Sequence, residues 1–377
     1  MKYKFEDIIF NITEKKKPVE EDKYNYIGLE HLESGNLFIS KWGSDTAPEG
    51  EKIVMKKGDV LFGKRRAYQK KVAISPIDGI FSAHGMVLRP KEDVICKEFL
   101  PFFISSETFL NEAIRISVGG LSPTVNWKDI RELEFDLPSL AEQKVLAEKL
   151  WAAYEVKQSY LKMIAATEEM VKAQFVEMFY VSKFPVRKLK EHIEVLRGVS
   201  YKPTDVRDTI SSTTSVILRS NNIDNGRINY DDLVYVNSER VSDNQLVSAG
   251  DIVMCGSNGS KKLVGKAALV NSNPEHRTSF GAFCLGIRCK SSILPKYLST
   301  YFQTSIYREV IEFLGSGSNI LNIKPDHINN LEIPIPDIES QLLFVNIVDQ
   351  ADKSISELRR SVDAIDKVIK SLINENL

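Results

Sequence analysis

The chain has 377 residues, of which 43% are hydrophobic and 27% charged, with a formal net charge of −1. This length is too great for one ordinary hydrophobic core, so we expect two domains joined by helices. No apolar run is long enough to cross a bilayer, and the N-terminus lacks the apolar stretch of a secretion signal. We therefore expect a cytoplasmic protein that makes no membrane contact.

The first half of the chain alternates short apolar runs with turn residues. Ile53–Met55 and Val60–Phe62 predict short strands, and Phe99–Ile116 has the pattern of a helix. The Gly-rich segment Val118–Pro123 predicts a turn. A strand that ends at Pro138 closes this half.

A cationic loop follows the strand at Val60. Because affinity for DNA comes largely from neutralising phosphates, a near-neutral protein that binds DNA must concentrate its cations locally. Arg hydrogen-bonds guanine, Gln hydrogen-bonds adenine, and Lys neutralises phosphate. The alternative is a solvated surface without a ligand. The candidate DNA-binding residues of this loop are Lys64, Arg65, Arg66, Tyr68, Gln69, Lys70 and Lys71.

A long helix is predicted directly after Pro138. Ser139-Leu-Ala-Glu142 is a capping-box pattern, in which the hydroxyl and the carboxylate each satisfy a backbone amide. We place this helix at residues 139–180.

The second half of the chain repeats the first. Ile130-Arg-Glu-Leu-Glu-Phe-Asp-Leu-Pro138 matches Ile328-Asn-Asn-Leu-Glu-Ile-Pro-Ile-Pro336 at each apolar position, with an offset of 198 residues that also joins Gln143 to Gln341. Gly58-Asp-Val-Leu61 matches Gly250-Asp-Ile-Val253 with an offset of 192. The number of ordered matches indicates an internal duplication.

The duplicated half has the same order of predicted elements. Val216–Leu218 and Ile252–Met254 predict strands, Pro295–Leu314 a helix, and Gly315–Ser318 a turn. The loop after Ile252 is less basic than its counterpart but is rich in small polar residues. The candidate DNA-binding residues of this half are Arg219, Ser220, Asn221, Asn222, Ser257, Asn258, Ser260, Lys261 and Lys262.

A second long helix is predicted from Asp337, a good N-cap, to residue 377. Its apolar residues alternate in steps of three and four, the heptad pattern of a coiled-coil seam. The same register, moved back by 198, is weaker in the first long helix because Lys157 and Thr167 occupy seam positions. Two separate amphipathic helices, each docked on its own domain, are the alternative to a paired coil. The predicted seam consists of Leu150, Ala153, Tyr160, Ile164, Val171, Val348, Ala351, Ile355, Leu358, Val362, Ile365, Ile369 and Leu372.

The sequence resembles the specificity subunits of type I restriction–modification systems over essentially its whole length. The resemblance rests on Tyr26-Ile-Gly-Leu-Glu-His-Leu-Glu33, on the segment Gly58–Ala73, and on Leu137-Pro-Ser-Leu-Ala-Glu-Gln143. The second copy of the last motif departs from the family pattern, because Ser340 replaces the glutamate before Gln341.

The resemblance implies an α+β fold with two duplicated, mixed α/β target-recognition domains. Two long antiparallel coiled-coil spacer helices would separate them with pseudo-twofold symmetry. We place the domains at residues 1–138 and 181–336, with the spacer helices at 139–180 and 337–377. Each domain would read one half of a bipartite, asymmetric site in double-stranded DNA. The implied partners are two modification subunits, which methylate adenine, and restriction subunits, which form the translocase and nuclease.

We find no sequence signature of catalysis. The nearest match to the Asn/Asp-Pro-Pro-aromatic run of adenine methyltransferases is Asn273-Pro274-Glu275, and there is no P-loop. The cysteines and histidines lack metal-ligand spacing, so four reduced, mostly buried thiols are expected. We expect this chain to bind no cofactor; the resemblance assigns S-adenosylmethionine, ATP and Mg²⁺ to the partner subunits. A solitary DNA-modifying enzyme and a coiled-coil scaffold that binds protein alone are the rival interpretations.

Overall fold

A computed structural model describes residues 1–182, 184–314 and 322–377 of the chain. The chain divides into two units, the first formed by Met1–Leu161 with Arg359–Leu377 and the second by Lys162–Leu358. This division falls inside the long helices. The domain boundaries at residues 138, 180 and 336 therefore stay predictions.

The first unit is built from short strands with small helices between them. Its strands are β1 (Lys2–Lys4), β2 (Ile9–Ile12), β3 (Lys15–Lys16), β4 (Tyr26–Ile27), β5 (Lys52–Met55), β6 (Val60–Phe62), β7 (Val72–Ile74), β8 (Gly79–Phe81), β9 (Met86–Pro90) and β10 (Glu134–Asp136). Its short helices are α1 (Phe5–Ile8), α2 (Leu100–Ser105), α3 (Glu107–Arg115) and α4 (Trp127–Ile130). The strands form sheets in the orders β2-β9-β6-β7, β3-β5-β8-β4 and β1-β10.

The long helices are α5 (Leu140–Val176) and α9 (Ile338–Asn374), and each of them contributes residues to both units. The second unit resembles the first in its plan of short strands and small helices. Its strands are β11 (Val186–Lys188), β12 (Ile193–Arg197), β13 (Val206–Arg207), β14 (Thr214–Leu218), β15 (Ile223–Asp224), β16 (Arg227–Ile228), β17 (Val234–Asn237), β18 (Ile252–Cys255), β19 (Ala267–Leu269), β20 (Thr278–Phe280), β21 (Cys284–Cys289) and β22 (Glu332–Pro334). Its short helices are α6 (Pro295–Tyr301), α7 (Ser305–Leu314) and α8 (Pro325–Asn329). The sheet orders are β12-β21-β18-β19-β16-β15, β13-β17-β14-β20 and β11-β22.

The four predicted strands are confirmed as β5, β6, β14 and β18. Each of the two predicted mid-length helices is instead a pair of helices, so those two predictions were wrong in extent. The break comes at Ser106 in the first unit and at Thr304 in the second, again 198 residues apart. The Ser106 hydroxyl accepts a hydrogen bond from the Phe109 amide (3.1 Å), and Thr304 Oγ1 accepts one from the Tyr307 amide (3.3 Å). These side chains cap a new helix, which ends the preceding one. The predicted turn Gly315–Ser318 lies outside the described residues.

The repeated Gly-Asp pair has a structural role in both units. Gly58 and Gly250 have φ angles of 92° and 93°, a region that favours glycine. The next residue, Asp59, accepts two hydrogen bonds of 2.8 Å from the guanidinium of Arg89 on β9. Asp251 accepts two from Arg288 on β21, at 3.0 and 2.9 Å. The aspartates therefore join the strand they precede to the neighbouring strand of the sheet.

The long helices begin where their caps predict. Ser139 and Glu142 form the expected capping box, with the Ser139 amide donating to Glu142 Oε2 at 2.9 Å. Asp337 is confirmed as the cap of α9, because its Oδ1 accepts from the Ser340 amide at 2.8 Å. A π-helical turn, Glu177–Val181, continues α5.

A buried glutamine near the start of each long helix attaches that helix to its unit. Gln143 is fully buried and donates to the carbonyl oxygens of Val94 and Pro138, both at 2.9 Å, while its Oε1 accepts from the Cys96 amide. Gln341 makes the same three bonds to Ser292, Pro336 and Leu294. Each of these second-unit partners lies 198 residues after its counterpart, so both copies of the motif perform one structural task.

The residues predicted for the helix seam are all at least half-buried. The buried members are Leu150, Ile164, Val171, Ala351, Ile355 and Val362, and the half-buried members are Ala153, Tyr160, Val348, Leu358, Ile365, Ile369 and Leu372. In the first unit, Lys157 Nζ lies 2.6 Å from Asp366 Oδ1, which accounts for a lysine at a seam position. In the second unit, the rings of Phe175 and Phe344 lie 5.4 Å apart. Segments of α5 and α9 thus contact each other within each unit.

Candidate nucleic-acid interface

The cationic loop of the first unit connects β6 to β7 and is held by backbone hydrogen bonds to two other segments. The Arg65 amide donates to the His84 carbonyl at 3.1 Å, and the Arg66 amide to the Pro123 carbonyl at 2.6 Å. Arg66 and Lys70 adopt left-handed backbone conformations, with φ angles of 56° and 50°. Such conformations are uncommon for residues with side chains and occur where the surrounding structure fixes the loop.

The side chains of this loop differ in their freedom to reach a ligand. Arg65, Arg66 and Tyr68 are exposed, while Lys64, Gln69, Lys70 and Lys71 are half-buried. Lys71 donates to the Leu29 carbonyl at 2.7 Å, and Arg66 Nε donates to the Ser122 hydroxyl at 3.2 Å. Arg65 and Arg66 are therefore the strongest candidates for contact with DNA in this loop.

Burial and neighbouring cations together lower the pKa of two groups at this loop. Burial lowers the pKa of Lys64, and the nearby Lys15 lowers it further. Burial likewise lowers the pKa of His84, with further contributions from the cations Arg65, Lys64 and Lys52. A nearby cation disfavours protonation of these groups. An anion bound at this loop would relieve that repulsion.

The corresponding loop of the second unit runs from Cys255 to Lys262 after β18. The amides of Gly256 and Ser257 both donate to the Phe283 carbonyl, at 2.8 and 3.0 Å. Asn258 Nδ2 donates to the Ser220 hydroxyl at 2.9 Å. This bond brings together the two segments that the sequence analysis had selected independently. Ser260, Lys261 and Lys262 are exposed, and Ser257 and Asn258 are half-buried.

Some side chains of the turn at residues 219–222 stabilise the turn itself. Asn222 is fully buried, and its amide group donates to the carbonyl oxygens of Asn229 and Asp231. The side chain is enclosed by the turn that it stabilises, so these bonds give Asn222 a structural role, and its contact with a base stays a prediction. Arg219 Nη2 and Asn221 Nδ2 both donate to Asp232 Oδ2 at 2.9 Å. Ser220 and the exposed Asn221 remain candidates for DNA contact.

Sequence reasoning missed the turn that supports each loop, which lies between β8 and β9 in the first unit and between β20 and β21 in the second. His84 and Phe283 occupy equivalent places, because each offers its carbonyl to a loop amide, that of Arg65 or of Ser257. Both side chains are exposed. The signal was present in the sequence: Phe81-Ser-Ala-His84 matches Phe280-Gly-Ala-Phe283 with an offset of 199, which also joins Arg89 to Arg288.

The four cysteines carry free thiols. Cys96, Cys255 and Cys284 are buried, Cys289 is half-buried, and none of the four forms a disulfide, as the sequence predicts. Burial raises the pKa of Cys255 to about 11, which keeps the thiol protonated and poorly nucleophilic. Within the described ranges, no cluster of His, Cys, Asp and Glu suits a metal ion. Nor does any helix there combine the length and the apolar composition needed for a membrane span.

Comparison with known protein families assigns the chain to one of them. The model of the type I restriction modification DNA specificity domain matches residues 2–159 and again residues 182–364. The chain belongs to this family. The two matches also agree with the duplication found in the sequence, and each includes one of the two loops described above.

Individual relatives support the same assignment. The StySPI specificity subunit of Salmonella potsdam is 34% identical over 176 residues, which amount to 47% of this chain and 38% of that subunit. The MjaVIII specificity subunit of Methanocaldococcus jannaschii is 23% identical over 397 residues, covering 98% of this chain and 89% of that subunit. The chain thus matches well under half of the first relative's length, and nearly all of the second's.

Two solved structures share the fold at low sequence identity. One comes from a study of complex assembly in the type I restriction–modification system; it has a TM-score of 0.53 and 18% identity, covering 100% of this chain and 97% of that one. The other is the S subunit of such a system from M. genitalium, with a TM-score of 0.50 and 13% identity, covering 99% and 94%.

Proposed function

We propose that this chain is the DNA-recognition subunit of a type I restriction–modification complex. Each unit reads one half of a bipartite, asymmetric DNA site and has no catalytic centre of its own. The observation that carries the proposal is the repeated loop: in both units a polar or cationic segment follows the Gly-Asp strand. Backbone hydrogen bonds fix it to an equivalent turn, at His84 in the first unit and at Phe283 in the second. Two such loops on one chain suit two short DNA sequences with an unread gap between them.

The two loops suit different contacts. Arg65 and Arg66 carry the bidentate donors that recognise guanine or a phosphate. The loop of the second unit instead offers the amide of Asn258, the hydroxyl of Ser260 and the ammonium groups of Lys261 and Lys262. Because the two sets of donors differ, the two half-sites are expected to differ in sequence.

We further propose that α5 and α9 form an antiparallel coiled-coil spacer that also binds two modification subunits. The seam residues and the contact between Lys157 and Asp366 support helix pairing. A stripe of α5 outside the seam carries Val145, Val156, Met163 and Met170, each between 45% and 52% exposed. Their spacings of eleven, seven and seven residues place them on one side of the helix. Exposed apolar side chains in one row are typical of a surface that binds another protein.

The partner subunits would carry out both methylation and cutting of the DNA. S-adenosylmethionine would be bound by the modification subunits, and ATP and Mg²⁺ by the restriction subunits. We expect the purified chain to neither methylate nor cut DNA, and the chain combined with its modification subunits to methylate adenine at a defined sequence. A radiolabelled methyl-transfer assay compares the two samples. Methyl transfer by the chain alone, after purification to homogeneity, would support the solitary-enzyme interpretation instead.

A further inference from the structure

The tip between β20 and β21 presents an exposed aromatic side chain. Phe283 is 73% exposed, although the strands on either side of it are buried. A phenylalanine in this position leaves most of its apolar surface in water, which is unfavourable by about 25 cal/mol for each Å². Packing within the unit therefore does not explain its presence.

The backbone of Phe283 is fixed against the candidate DNA-binding loop. Its carbonyl accepts hydrogen bonds from the amides of Gly256 and Ser257, at 2.8 and 3.0 Å. β18 and β21 pair up to Cys255 and Cys284, so the tip and the loop leave the sheet at the same end. Asn258 of that loop in turn contacts Ser220. The aromatic ring thus belongs to a surface otherwise composed of small polar and cationic groups.

The equivalent tip of the first unit has a different chemistry. There the residue is His84, whose Nε2 lies 3.3 Å from Arg65 Nη1. An imidazole beside a guanidinium provides polar contacts for phosphates or base edges. Phe283 has no polar group in its side chain, so the two units differ at this one place in the kind of contact they offer.

We propose that Phe283 is an apolar wedge that enters a base step of the half-site bound by the second unit. Proteins that bend or open DNA commonly insert Phe or Leu between base pairs, which unstacks the step and reads its deformability. The surrounding hydroxyl, amide and ammonium groups hold the duplex while the ring is inserted. The proposal rests on the proposed function, because it requires the second unit to contact DNA. The first half-site, which faces His84, is bound without such an unstacked step.

The test uses the chain assembled with its modification subunits and a duplex containing the methylated sequence. The fluorescent base 2-aminopurine is placed in turn at each position of both half-sites. We expect one step of the second half-site, distinct from the adenine that is methylated, to become fluorescent on binding. Phe283→Ala should remove that signal and weaken target binding about tenfold, since stacking of a base on an aromatic ring contributes about 1–3 kcal/mol.

Two further variants separate a wedge from a general surface effect. Phe283→Leu keeps an apolar side chain that still fits a base step, so it should retain the signal and most of the affinity. Val186→Ala removes an exposed apolar side chain from β11, away from the loop, and should change neither. The wedge proposal is contradicted if Phe283→Ala binds the target with parental affinity and fluorescence. It is also contradicted if the substitution weakens binding to the target and to an unrelated duplex equally. If the parental complex shows no sequence preference, the proposed function fails instead.

Discussion

Replacement of Arg65, Arg66 and Lys70 by Ala is expected to weaken DNA binding on the order of 100-fold at physiological salt. Each contact between a cation and a phosphate contributes about 0.9 to the slope of log affinity against log salt concentration. If all three side chains contact phosphate, the slope therefore falls by about 2.7. If one arginine reads a guanine instead, the variant also loses about 1–3 kcal/mol of discrimination at that base.

A matched control removes the same charge elsewhere in the first unit. Lys2, Lys4 and Lys128 are exposed, and their replacement by Ala changes the net charge by the same amount. The ion pairs that Lys2 and Lys4 make with Glu134 and Glu132 lie at the surface and contribute little to stability. Fluorescence anisotropy titrations across a salt series compare both triple variants with the parent. Equal slopes in all three proteins would identify the loop as a solvated surface without a DNA contact.

Replacement of Gln143 or Gln341 by Ala is expected to destabilise the unit that contains it by about 3–4 kcal/mol. Each glutamine is fully buried and satisfies two carbonyl oxygens and one backbone amide. Leaving a buried polar group without a partner costs about 1–3 kcal/mol. Ala is itself a good helix former, so helix propensity does not account for the loss.

Hydrogen exchange read by mass spectrometry measures this effect in each unit separately. Gln143→Ala should raise exchange in peptides of β6 and β9, and Gln341→Ala in those of β18 and β21. Gln350→Ala, an exposed position on α9, serves as the control and should change the unfolding free energy by less than about 0.5 kcal/mol. If Gln143→Ala and Gln350→Ala behaved alike, the buried glutamine would not anchor the helix.

The parts of the fold that depend on neighbouring residues could be predicted from the sequence. The strands at Val60 and Ile252 follow from short apolar runs, and the starts of α5 and α9 from side chains that cap amides three residues away. The break in the mid-length helices was missed. Ser106 and Thr304 stand within apolar helical patterns, where the periodicity outweighed their capping tendency.

The parts that depend on distant contacts could not be predicted in the same way. Asn222 has the residue type of a base reader, and its burial depends on how the turn closes over it. His84 and Phe283 were missed because each lies 19 or 26 residues from the loop position it supports. Aligning the two halves of the sequence at an offset of 199 residues would have shown that His84 and Phe283 are equivalent. The exposure of the ring is a property of the folded chain.

The central claim is that two separate units of one chain read two separate half-sites. It is tested most directly by exchanging residues 1–138 for the matching segment of a relative. The hydroxyl of Tyr154 on α5 lies 2.6 Å from the Leu37 amide, so the relative is chosen to keep polar partners for Tyr154. Single-molecule methylome mapping is then carried out in cells that express the exchanged or the parental chain with the modification subunits. We predict two methylated motifs that share one half-site and differ completely in the other. A change in both halves, or in neither, would contradict two independent readers.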